Sequence, residues 1–170
     1  MSKLELIIRL YEYNEWANGV VLNASGELPA PELATTATSS HDSILSLLVH
    51  TLGTQAFWLV RWKGDPFPTT PFVQRERPLE SLRDSFTQWD SATREFVDGL
   101  SEDDLARPTP MPEFIDRMKG VELPLWQVMI QTIEHAIHHR AEVQSALTAA
   151  GHPVRDLDYI LWEIDRRRAQ

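Results

Sequence analysis

The sequence contains no cysteine. That excludes disulfides, zinc–thiolate sites and a cysteine nucleophile together, and it fits a cytoplasmic protein. Basic residues are scarce: 16 Lys and Arg against 25 Asp and Glu leave a net charge of −9. A chain this acidic repels phosphate backbones and anionic lipid, so neither nucleic acid nor a membrane surface is an expected partner. The one basic run, Arg166 to Arg168, reads as favourable charge at a helix C-terminus. No stretch reads as apolar enough to span a bilayer. The N-terminal MSKLELIIRLYEYNEW carries charges every few residues, unlike a secretory signal. Repeats and low-complexity tracts are also lacking. The expectation is one domain spanning residues 1–170.

What is present is a series of long helical patterns separated by Pro-rich joints. Ser2 and Glu5 form an S-x-x-E capping box, and a helix is expected from there to about Ser25. Leu6, Leu10, Tyr13, Ala17 and Val20 fall on one of its faces. After the loop ELPAPELATTATSS, Ser39 or Ser40 is expected to cap a second helix ending at Gly64, with Ile44, Leu47, Leu48, Leu52, Leu59 and Trp62 on its apolar side. GDPFPTTPFVQRERP is too Pro-rich for regular structure. A third helix starts near Leu79, its stripe running Leu82, Phe86, Trp89, Thr93, Phe96 and Leu100. SEDDL suggests one helical turn, and MPEFIDRMKGVELP a short hairpin turning at Lys119-Gly120. The fourth helix is expected to hold Pro124 in its first turn, to stop at Gly151, and to bury Leu125, Val128, Met129, Ile133, Ala136, Ile137, Val143 and Leu147. A shorter helix, about Leu157 to Arg168, closes the chain. Together these predict an all-α four-helix bundle with long crossover loops and a short C-terminal helix.

QTIEHAIHHRAEV places three of the six histidines within five positions. His135 and His139, four apart, sit one turn above each other and can converge on one ion. His138 lies around the helix from His139 and reads as a polar residue at the edge of the apolar stripe. A zincin-type peptidase would carry Glu after the first histidine, and that position is Ala136. A catalytic ion needs a third protein ligand and an open position. His41, at a helix start, and His152, after the stop glycine, read as solvent-exposed. His50 lies mid-helix among apolar residues, where burial is expected and an imidazole needs a partner. It reads either as a hydrogen-bonded core histidine or as that third ligand.

LLVHTLGTQAFWLVRWKG followed by HAIHHRAEV resembles the DinB-like (YfiT-like) superfamily of metal-dependent enzymes, and Tyr13-Asn14-Glu15-Trp16-Ala17-Asn18 resembles that family's first helix. The resemblance implies an up-down-down-up four-helix bundle whose metal ligands are His50, His135 and His139. The family commonly continues the last histidine as His-Arg-Gly-Gln. Here it reads His139-Arg140-Ala141-Glu142, so Arg140 matches while Ala141 and Glu142 depart. Glu142 returns to the side of His135, where it can serve as an acceptor that orients a ligand, a fourth ligand, a proton acceptor, or simply a solvated helix charge.

Three neutral imidazoles suit zinc, nickel or another first-row divalent ion and leave a position open. Such an ion lowers the pKa of what it binds, which suits hydrolysis by water or attack by a small thiol. The resemblance favours the second, a thiol-dependent S-transferase or isomerase using a low-molecular-weight thiol. Glu142 and Arg140 are the candidate catalytic residues, with Arg140, Asn14 and Asn18 expected to help bind an anionic small-molecule substrate, and Trp16 to pack. The contrasting reading is a non-catalytic metal- or ligand-binding stress-response bundle. A homodimer is expected from the family and from six tryptophans that a small bundle would leave partly uncovered.

Overall fold

Ser2 and Glu5 do close a capping box. The Glu5 N–H donates to Ser2 Oγ at 3.1 Å and the Ser2 N–H to Glu5 Oε2 at 2.7 Å, and helix α1 runs Lys3–Ser25. The computed structural model describes residues 1–65 and 78–169. A one-turn helix α2 (Ala30–Leu33) interrupts the following loop. Helix α3 (Ile44–Lys63) is capped by Ser43 rather than by Ser39 or Ser40. Ser43 and Ser46 exchange backbone-to-hydroxyl bonds of 3.0 and 3.1 Å, a capping box with serine standing in for the usual Glu or Gln. Gly64, at φ +73°, ends α3 in the left-handed conformation that glycine takes at least cost. The Pro-rich joint expected to lack regular structure falls largely on residues 66–77, outside the described residues.

Helix α4 (Leu79–Asp98) buries Leu82, Phe86 and Thr93 of the expected stripe, but Asp90 and Val97 take the inner positions while Trp89, Phe96 and Leu100 are half-buried. The hairpin is displaced from its predicted place. Strand β1 (Pro108–Pro110) pairs antiparallel with β2 (Glu122–Pro124), Thr109 opposite Leu123, and the connection between them holds a 3-10 turn at Asp116–Met118 and Gly120 at φ +69°. The first strand thus precedes the predicted segment, and one further bond, from the Met111 N–H to the Val121 carbonyl at 2.8 Å, extends the ladder toward the turn. Helix α5 (Leu125–Ala149) follows at once, with Pro124 at its N-cap and Gly151 beyond its end at φ +88°. Helix α6 (Tyr159–Arg168) begins two residues later than expected, since Leu157 is spent as an anchor: its carbonyl accepts from Tyr13 Oη at 2.6 Å.

The four long helices form a square in which α1 and α3 each pack against both α4 and α5. Their directions follow from which ends share a core. Ile7 of α1 meets Trp62 of α3, Val97 of α4 and Leu125 of α5 at one end, and Val21, Leu47, Leu82 and Leu147 meet at the other. Hence α1 and α5 run one way and α3 and α4 the other, the up-down-down-up order.

Between the two apolar clusters lies a polar waist. Arg140, 4% exposed, donates from Nη1 to Asn14 Oδ1 at 2.7 Å and to Asn18 Oδ1 at 2.8 Å, and its guanidinium stands 5.7 Å from the Tyr13 ring. Gln55 Nε2 donates to Asp90 Oδ1 at 2.7 Å. All four helices contribute. The waist also rotates α1 from its expected face: the buried residues include Ile7, Tyr11, Asn14, Asn18 and Val21, while Leu6, Leu10 and Val20 are only half-buried. Counting apolar residues alone could not place two buried asparagines on the inner face.

Two further expectations change. Ile137 is exposed, not part of the α5 core. The stretch Ile44–Lys63 is long and apolar enough to cross a membrane by length and composition, yet more than half of it is buried within the bundle. Trp58, Trp62 and Trp162 are buried, while Trp16, Trp89 and Trp126 stay partly uncovered. The large apolar side chains more fully at the surface include Ile160, Leu161 and Ile164 of α6.

Candidate metal centre

Helices α3 and α5 pack side by side, and three imidazoles meet across their groove. His135 Nε2 stands 3.2 Å from His50 Nε2 and 3.2 Å from His139 Nε2. One ligand atom from each residue lies within 4.8 Å of the others, and among the described residues no fourth His, Asp or Glu joins the set. His50 is exposed, against the expectation of a buried mid-helix residue, His135 is half-buried and His139 buried. His50 tolerates its apolar neighbours because they turn inward while it alone faces the groove.

The spacing has a chemical meaning. A single ring nitrogen carries either one hydrogen or one lone pair, so His135 Nε2 cannot satisfy two neighbours at once. Two nitrogens each ~2.0–2.1 Å from a tetrahedral zinc ion would be ~3.3 Å apart, close to both separations seen. One cation among three lone pairs satisfies every group, so these residues fit a divalent metal.

Glu142 completes the arrangement. Its Oε1 accepts from His139 Nδ1 at 3.0 Å, which fixes the lone pair of His139 on Nε2, facing the other histidines. Burial alone would raise the Glu142 pKa, but hydrogen bonds from Ser40 and His139 outweigh it and hold the carboxyl below its usual value, ionised and acceptor-only. The imidazoles shift the other way. Desolvation first, then the neighbouring histidines, lowers His135 to about 4 and lowers His50 as well. For His139, desolvation again leads, partly offset by Glu142. The trio is therefore neutral and able to ligate at physiological pH.

The remaining candidates separate. His138 is largely exposed, 3.4 Å from Glu142 Oε1. His138, His139 and Glu142 also fall within 4.8 Å of one another, but His139 turns Nε2 to the trio and only Nδ1 to Glu142. His41 differs from its expected exposure: it is half-buried, its ring 4.8 Å from that of His50 and its Nδ1 2.8 Å from Ser40 Oγ. Its proximity was invisible because the loop before α3 folds back over the groove. Arg140, Asn14 and Asn18 are buried in the waist and committed to one another, so they do not present an anion site at the surface. Trp16 packs against the core, as expected.

Beside the trio opens a cleft of about 620 Å³, which His50 and His135 both line. Phe57, Trp58, Met111, Phe114 and Val128 supply much of its wall. Sequence reading missed this cleft, since Met111 and Phe114 belong to the connection between the strands and only the fold brings them to α3.

The model of the DinB family matches residues 1–167. A solved structure titled as the conserved protein of locus from Enterococcus faecalis is similar in fold, with TM-score 0.64 and 15% identity over 86% of this chain and 96% of that one. No match is found among curated proteins.

Proposed function

The chain belongs to the DinB family, and on that premise we propose that it is a metal-dependent enzyme acting on a small molecule, with His50, His135 and His139 holding one zinc, nickel or similar ion. The observation that carries this reading is the opening of the three-histidine cluster onto a cleft. A structural ion would be closed by a fourth protein ligand, whereas three leave room for a reactant. When bound, the ion supplies a Lewis acid that lowers the pKa of a thiol or a water. The chain's own residues do the rest. Glu142 orients His139, the two helices hold the imidazoles at fixed separation, and the strand connection walls one side of the cleft. Arg140 is assigned to the scaffold and not to the reaction.

A cysteine-free chain offers no sulfur nucleophile of its own. The reading is therefore transfer or isomerisation driven by a low-molecular-weight thiol as cosubstrate, in the cytoplasm where such thiols stay reduced. It includes a homodimer formed through the exposed Ile160 and Ile164 of α6, which a purely monomeric sedimentation profile at micromolar concentration would remove.

The test is elemental analysis of the native protein followed by a screen of thiol transfer and ester hydrolysis, with and without chelator. About one ion per chain and chelator-sensitive thiol transfer are expected. Hydrolysis alone would replace the transferase by a hydrolase, and a bound ion with no turnover would favour the metal-binding stress-response bundle.

A further inference from the structure

The cleft beside the histidines carries a statement about what enters it. Its wall is mostly carbon: Phe57, Trp58, Met111, Phe114, Met118 and Val128. At about 620 Å³ it has the size of a small-molecule site, not of a bound ion alone. Phe114 is 74% exposed, its ring 6.0 Å from Phe57 and nearly perpendicular to it, so an apolar surface stands uncovered at the mouth. Among the described residues that line the cleft, Arg117 is the one Lys, Arg, Asp or Glu. Its neighbour Asp116 is taken by Lys119 Nζ at 2.6 Å, and among the described residues Arg117 itself has no ion-pair partner. On a chain of net charge −9, a cation left free beside an apolar cleft is the exception.

We infer that the substrate is an apolar, aromatic-sized small molecule bearing one anionic group, its body in the cleft, its anion at Arg117 and its reacting end at the three histidines. This rests on the metal reading, because it is the ion that would hold the reacting end. Met111 and Met118 suit the purpose, since unbranched thioether side chains adapt to ligands of differing outline. Arg117 can pair a carboxylate bidentately at the cleft's rim.

The test uses the zinc-loaded full chain and three hydroxamates, titrated by calorimetry. Acetohydroxamate probes the ion alone, 2-naphthohydroxamate adds an apolar body, and its 6-carboxy derivative adds the anion. The naphthyl group is expected to tighten binding at least tenfold over acetohydroxamate, and the carboxylate severalfold more. Arg117→Gln should erase the second gain and keep the first, and Phe114→Ser should reduce the first while leaving acetohydroxamate unchanged. Both residues are exposed, so neither change threatens folding. Equal affinity for acetohydroxamate and 2-naphthohydroxamate overturns the inference and leaves the metal reading intact. A carboxylate gain that survives Arg117→Gln overturns the assignment of the anion. Acetohydroxamate binding that ignores zinc sinks the metal reading instead.

Discussion

The pairing of His139 with Glu142 would govern how tightly the proposed site holds an ion. A carboxylate on the far nitrogen fixes the tautomer and raises ligand basicity, and losing such a partner typically costs 10–100-fold in affinity. Glu142→Ala should therefore weaken zinc binding by about that factor in a competition titration with a chromogenic chelator, while His138→Ala changes it by less than about twofold. Equal losses would mean that His138 is a ligand. The histidines also set an acid limit. His135 titrates near 4 in the folded chain and near 6.5 when unfolded. With its folded pKa depressed, the unfolded state takes the proton first as pH falls. Stability of the metal-free protein is thus full above ~7, drops through the window from ~6.5 to ~4, and levels below it. For this partly exposed ring the loss between pH 7.5 and 5 should be on the order of 1–2 kcal/mol, read from urea midpoints after chelation. An unchanged midpoint would contradict the shift. At this scale the sequence was informative where chemistry repeats along one helix: the four-residue step of His135 and His139 was plain. His50 was legible as a partner but not as an exposed one, and the part played by Glu142 stayed open among four alternatives, of which the 3.0 Å contact with His139 favours the orienting acceptor.

Helices, taken as elements, show where apolar counting succeeds and where it stops. It found α3 well, because most of its buried residues are apolar, and α4 only in part, because Asp90 is buried in the waist in place of Trp89. It misrotated α1, because Asn14 and Asn18 are buried by virtue of Arg140, a partner 122 to 126 residues away. The hairpin was expected but misplaced, since a three-residue ladder leaves almost no periodicity to read. The waist that ties the elements together has its own titration. Burial, offset in part by Gln55, raises Asp90 to about 6. A carboxyl raised in the folded state contributes stability below its unfolded pKa of ~3.9 and loses it as pH climbs through 6. Asp90→Asn, which keeps the acceptor for Gln55, should therefore be more stable than the parent at pH 8, by about 1–2 kcal/mol in urea unfolding, and indistinguishable near pH 4. Destabilisation at pH 8 would show instead that the carboxylate is needed to neutralise Arg140.

For the molecule as a whole, the stripes and not the ion supply most of the fold. Two apolar clusters spanning all four helices are ample for a chain of 170 residues. Chelation should leave the far-ultraviolet circular dichroism intact. It should still lower the melting temperature, because an ion at a hundred times its Kd stabilises by about 2.7 kcal/mol, roughly 5–10 °C for a domain of this size. Collapse of the helical signal on chelation would make the ion a structural staple.

The waist has a consequence for how such a chain can change over generations. It separates the core into two halves that share few side chains, so alterations in one need not be answered in the other. Met129→Ala and Leu147→Ala, one in each half, should each cost about 2–5 kcal/mol and combine additively to within about 0.5 kcal/mol. Trp58, Met111 and Val128 belong to one half and also line the cleft, while the other half takes in Leu33 and Ile44 on either side of the Ser40 loop. A lineage can therefore vary Met111 and Phe114, which the strand connection supplies, and leave untouched the two helices that carry the three histidines, keeping one site while varying what reaches it.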